Sequence, residues 1–156
     1  VVKLTLNRNV NDFEMRLFRT VFKHFSNPDM IHKLDMVAEF AWGFEQWFKI
    51  ETVVTLIDSE VYVSTLGQRA YDADIVVRND DRDFGIEMRC WRRGLKPDNM
   101  TKAFTDHPDA DLYLFLFRND DNKLSEMTER LNNSVHIQDK LNSNWILMLV
   151  KRRFQE

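Results

Sequence analysis

The sequence predicts a mixed α/β domain in which a central sheet is flanked by helices. Three observations carry this. Two amphipathic helical segments open the chain. A run of short β-branched and apolar segments follows. The last two apolar segments, 111–117 and 144–150, are continuous rather than alternating, as in strands covered on both faces.

Residues 11–25 read as the first helix. Asn11 or Asp12 can cap it, and Phe13, Leu17, Val21 and Phe25 recur at helical spacing. Ser26-Asn27-Pro28-Asp29 stops it and starts another. Pro28 suits a first turn, where its missing N–H costs nothing, and Asp29 suits the positive helix end. The second helix is expected over 29–48. Strands are expected over 51–57 (ETVVTLI), 60–66 (EVYVSTL), 73–78 (ADIVVR) and 84–91 (FGIEMRCW), with the last two paired as an antiparallel hairpin across a tight polar turn. Gly94 and Pro97 end that unit. A helix over about 98–106 with Asp98 as its cap precedes strand 111–117, and Leu124, Met127 and Leu131 mark one more helix before strand 144–150.

The chain has 156 residues, 44% hydrophobic and 30% charged, with twelve Phe and four Trp. That suits one folded domain over 1–156 with a substantial core. The single cysteine, Cys90, excludes an intrachain disulfide and a thiolate zinc cage. The four histidines have no metal-ligand spacing and are expected to be structural or superficial. With no signal peptide and no run of apolar residues long enough to span a bilayer, a cytoplasmic protein without a membrane partner is expected.

The formal net charge is −3, so no global basic excess points to nucleic acid. The local distribution is uneven. Asp72, Asp74, Asp80, Asp81, Asp83 and Glu87 crowd one stretch, and Arg89, Arg92, Arg93, Lys96 and Lys102 follow directly. An acidic run leading into a basic one suits cations held beside a polyanion, although a solvated surface of mixed charge has the same composition.

Side chains alternate along a strand, so Glu87 and Arg89 share one face of 84–91. Hairpin pairing brings Asp74 within reach of Glu87. Two converging carboxylates repel unless a cation lies between them, and Mg2+ or Mn2+ is the natural occupant. On the helix expected over 29–48, Glu45 falls within the apolar arc of Leu34, Val37, Ala38, Ala41, Phe44 and Phe48. A carboxylate there is costly without a partner, which makes Glu45 the first candidate for a helix carboxylate at the site. Glu14, in the apolar arc of helix 11–25, is the runner-up.

Asp74-Ile-Val-Val, twelve intervening residues, and Ile86-Glu87-Met88-Arg89 together resemble the PD-(D/E)XK nuclease motif. The resemblance covers about 30–117 and implies a restriction-endonuclease-like fold built as helix, three-stranded meander, helix, strand. Against that order the chain shows one extra strand-like segment, at 60–66. The resemblance further implies an endonuclease hydrolysing phosphodiester bonds with Mg2+ or Mn2+, on DNA rather than RNA, often as a homodimer. Asp74, Glu87 and Glu45 would hold metal, and Asp74, Glu87 and Arg89 would be the catalytic set. Arg92, Arg93, Lys96 and Lys102 would meet the nucleic-acid backbone, and Trp91 could stack on a base or simply pack. There are two departures, of which the first matters little. Ala73 stands where the motif Pro is usual, and Arg89 stands where Lys is usual. Arginine does not give up a proton at working pH, so it cannot act as a base, but it can stabilise negative charge. The alternative on the same fold is a catalytically inactive nucleic-acid-binding or protein-interaction module, with Arg89 paired permanently to Glu87. Lys151, Arg152 and Arg153 are expected to form a solubilising tail.

Overall fold

The computed structural model describes residues 10–40, 42–61, 63–66, 73–94, 96–120, 135–141 and 144–151. The helix expected around Leu124, Met127 and Leu131 lies outside these residues, as do Asp72, Arg152 and Arg153. Among the described residues there are four helices and six strands, in the order α1 (Asp12–Phe25), α2 (Pro28–Glu39), α3 (Phe44–Asp58), β1 (Val63–Leu66), β2 (Ile75–Asn79), β3 (Arg82–Trp91), α4 (Pro97–Asp106), β4 (Leu112–Arg118), β5 (Val135–Lys140) and β6 (Trp145–Lys151). The strands form one mixed sheet, ordered β1-β2-β3-β4-β6-β5. Only β3 and β4 run parallel, joined through α4; all other neighbours are antiparallel.

Local chemistry explains the helix boundaries. The Asn11 side chain accepts from the Glu14 amide and the Glu14 carboxylate accepts from the Asn11 amide, a reciprocal capping box that starts α1. Asn27 caps α2, with Pro28 in its first turn. The single helix expected over 29–48 is two helices. Phe40 turns extended, and Gly43 takes φ +85°, a left-handed conformation that glycine adopts without steric cost, so α3 starts on a new axis at Phe44. The strand expected over 51–57 is the second half of α3. Phe48, Thr52, Thr55 and Leu56 are buried at helical spacing, while Ile50, Val54 and Ile57 are exposed. Tertiary packing has overridden the β preference of these branched residues. The expected strand 60–66 is shorter, Val63–Leu66, and its pairing with β2 has a register irregularity between Val63 and Thr65.

The expected hairpin is present as β2 and β3, with Arg82 opposite Asn79 and Asp80 at φ +54° in the two-residue turn. The ladder is reinforced by a cross-strand Arg78–Asp83 ion pair at 2.8 Å. α4 begins at Pro97 with Lys96 in the cap position, so Asp98 lies in the first turn rather than at the cap. β5 was not expected.

The sheet buries two faces. Leu112, Leu114, Leu116, Leu147, Leu149, Ile86 and Met88 pack against α1, α2 and α3. Tyr113, Phe115, Phe117, Ile146, Met148 and Val150 pack against Met100 and Ala103 of α4. Lys151 is part of β6, not a tail. Its ammonium lies 2.8 Å from the fully buried Glu14 carboxylate, tying the last strand to the first helix.

Candidate functional site

The candidate site forms where the sheet splits. β2 pairs with β3 only as far as Ile75 opposite Ile86, while β4 follows β3 from Ile86 to Trp91. The last five residues of β3 therefore have no β2 partner on one edge. Asp74 sits at the fork. Its backbone N–H donates to the Ile86 carbonyl, and its Oδ2 accepts from the next free edge amide, Met88 N–H, at 2.8 Å. The carboxylate thus continues the ladder where the backbone departs.

Glu87, one residue past the split, is 2% exposed. It lies opposite Tyr113 on the face covered by α4. Burial and the neighbouring Asp74 carboxylate push its pKa up to about 8, against the opposing pull of Arg89 and Lys49. Glu87 therefore holds a proton at neutral pH, shared through its hydrogen bond with Asp74.

Two cations, Arg89 and Lys49, flank this pair. Arg89 Nε is 3.2 Å from Glu87 Oε1, its Nη1 is 3.5 Å from Glu45 Oε1, and its Nη2 donates to His107 Nε2 at 2.7 Å. With the guanidinium as donor, Nε2 of His107 is the acceptor. The His107 carbonyl accepts from the Tyr113 hydroxyl at 2.6 Å, which anchors the end of α4 above the site. From the opposite layer, Lys49 Nζ is 2.8 Å from Asp74 Oδ1 and 3.2 Å from Glu45 Oε1. Burial acts to lower the Lys49 pKa, but the hydrogen bond and charge of Asp74, then Glu45, outweigh it, and the net shift is upward. Lys49 stays an ammonium and cannot serve as a base.

Asp74, Glu87, Arg89 and Glu45 thus come together, while Glu14 does not join them: it is committed to Lys151. Glu45 arrives from the first turn of α3, not from the middle of a 29–48 helix, and it pairs with two cations, Lys49 and Arg89. Two members of the cluster escaped the sequence reading. Lys49 stands one turn after Glu45, an i,i+4 pair visible once α3 is recognised as a helix. His107 carries no local signal; the crossover through α4 brings it in. The basic run divides. Arg92, Arg93 and Lys96 line a shared pocket, whereas Lys102 is exposed on α4. Trp91 packs edge-on against Phe115 at 5.2 Å and is half-buried, so it belongs to the second core. Burial and the Glu45 charge push the Cys90 thiol well up, which excludes it as a nucleophile at neutral pH.

Among the described residues no group of three or more His, Cys, Asp or Glu is spaced to hold a metal ion. The donors that could do so are Asp74 and Glu87. Two carboxylates, completed by water or substrate oxygens, suit Mg2+ or Mn2+. Charge supports the fit. Three carboxylates here face two permanent cations, and the remaining negative charge is neutralised by the proton on Glu87, which a divalent ion can displace. No described helix is long and apolar enough to cross a membrane. Comparison with family models, curated proteins and solved structures finds no match for this chain.

Proposed function

We propose that the chain is a metal-dependent nuclease that hydrolyses phosphodiester bonds in nucleic acid, DNA before RNA, on a restriction-endonuclease-like fold. The observation that carries this is the fork of β2 and β3, where the Asp74 carboxylate and the buried Glu87 carboxyl group converge. The element order α3-β1-β2-β3-α4-β4 supports the fold reading. With 51–57 in a helix, segment 60–66 supplies the first meander strand as β1, and the order becomes helix, three-stranded meander, helix, strand.

In this reading Asp74 and Glu87 would hold the ion, and Glu87 would be ionised when it is bound. Mg2+ or Mn2+ so held would polarise a phosphoryl oxygen and lower the pKa of bound water. Arg89 and Lys49 remain cationic and stabilise the negative charge that develops on the phosphoryl group. Lys49, supplied from α3, puts an ammonium at the site although Arg89 fills the usual lysine position. His107 holds Arg89 in orientation.

A second reading has a specific observation behind it. Arg89 already pairs with Glu87, and Lys49 with Asp74. Those pairs would also satisfy the carboxylates in a catalytically silent nucleic-acid-binding protein. The deciding experiment incubates labelled single-stranded, duplex and branched DNA, and RNA, with the protein in Mn2+, Mg2+ or EDTA. The nuclease reading expects metal-dependent cleavage that disappears in Asp74→Ala and Glu87→Ala. Absence of cleavage by a well-folded wild type would favour the silent reading.

A further inference from the structure

A second concave site lies at the carboxyl ends of the two parallel strands. Arg92, Arg93 and Gly94 follow the last residue of β3, Arg118 closes β4, and Lys96 holds the N-cap position of α4. Together with Glu39 they line a pocket of about 410 Å³ whose remaining charged wall is Asp120. We propose that this pocket binds a phosphate monoester, the terminal phosphate of a nucleic-acid strand. The strand assignment rests on the nucleic-acid reading above; the phosphate chemistry does not.

Four observations converge on it. The lining has four cationic side chains against two carboxylates. That excess of two matches the nearly divalent charge of a phosphate monoester at neutral pH, whereas an internal phosphodiester carries one. Among the described residues Arg92, Arg93 and Lys96 enter no ion pair, and Arg118 is the member held in place, 3.5 Å from Asp120 Oδ1 and 5.7 Å above the Trp145 ring. The pocket also lies at the start of the ten-residue α4, where the helix dipole favours an anion, and its Lys96 side chain makes no capping bond.

Exposed aromatic side chains also lie in the chain between this pocket and the candidate catalytic site. Glu39 is in the pocket wall and Glu45 is in the cluster around Arg89. Phe40 and Trp42, between them in sequence, are 71% and 94% exposed. Exposed aromatic rings are surfaces on which unpaired bases stack. Arg92 follows Arg89 by three residues of chain, about 10 Å at the rise of a strand. A terminal phosphate held here would leave the adjoining phosphodiesters of the same strand near Arg89.

The test measures binding in EDTA, so it does not depend on cleavage. A labelled single-stranded oligonucleotide is titrated in three forms, with a 5′-phosphate, with a 3′-phosphate and with hydroxyl ends. Inorganic phosphate and a nucleoside monophosphate serve as competitors. One phosphorylated form is expected to bind about tenfold or more tightly than the hydroxyl form, and Lys96→Gln and Arg118→Gln are each expected to remove that preference, so that each variant binds its phosphorylated and hydroxyl forms alike. Equal affinity for all three forms, or a preference that survives both substitutions, would overturn the proposal. Binding of the small phosphate compounds without any preference among oligonucleotides would overturn the strand-end assignment and reassign the pocket to a free phosphorylated metabolite. A chain that prefers phosphorylated ends but never cleaves would retain the pocket and reject the nuclease.

Discussion

Glu87 is buried among groups of both signs, and its proton links the site to pH. Its folded pKa, about 8, lies above the ordinary carboxyl value, so the folded chain binds more protons than the unfolded chain between those limits. The Glu87 contribution to stability should therefore be full below the ordinary carboxyl pKa, be lost as pH rises toward and through 8, and level off beyond. In EDTA, denaturant unfolding of the wild type should lose roughly 2–3 kcal/mol between pH 6 and pH 9.5, and Glu87→Gln should lose little of its stability over that range. A flat wild-type profile would contradict the buried, protonated carboxyl. Arg89 belongs to the same scale. Its contacts to Glu87, Glu45 and His107 fix a positive charge at the fork. On the nuclease reading, Arg89→Ala should lower kcat by roughly 10²–10³, the usual cost of removing a preorganised electrostatic donor, and Arg89→Lys should lower it less. Single-turnover cleavage rates would compare the variants.

At the level of elements, the hairpin that carries Asp74 and Glu87 was legible because both strands and the polar turn between them have local signatures. The helices were legible only in part. The α2–α3 break lies at Gly43, but the apolar positions on both sides of it continue a helical arc, so periodicity alone runs through it. The β-branched residues of α3 read as a strand because Ile50, Val54 and Ile57 are apolar yet exposed, which blurs the alternation of buried and exposed positions. That error concealed Lys49. β5 was missed because Val135–Lys140 mixes polar and charged residues with few apolar ones, as an edge strand does. Gly43 gives a direct test of the break. A Cβ there would meet nothing within 4 Å, so the cost of Gly43→Ala is conformational alone. The substitution should destabilise the chain by roughly 1–2 kcal/mol in chemical denaturation, through the left-handed backbone and not through a clash.

Across the whole molecule, a long-range ion pair ties the last strand to the first helix. Lys151 of β6 reaches Glu14 of α1, which is 0% exposed and also serves the α1 cap. Removing one partner of such a pair leaves an uncompensated buried charge, so Lys151→Met should cost roughly 3–5 kcal/mol. Glu14→Gln added to it should recover most of the loss, since the amide oxygen can still accept from Asn11. A double variant no more stable than Lys151→Met would show that packing, not charge, dominates there. This long-range pair was not legible, because 137 positions of sequence separate its members. The same topology places the site. The crossover through α4 brings His107 over β3, and the divergence of β2 from β3 opens the edge that Asp74 caps.

The central claim is that Asp74 and Glu87 form a divalent-cation site, and calorimetric titration of Mn2+ tests it most directly. Titrations at pH 7 in buffers of different ionisation enthalpy also count the protons released. The account predicts one saturable site in the wild type, release of about one proton per ion as Glu87 ionises, and loss of both signals in Glu87→Ala. No saturable heat, or heat unchanged in Glu87→Ala, would contradict it and leave Arg89 and Lys49 as the permanent partners of the two carboxylates.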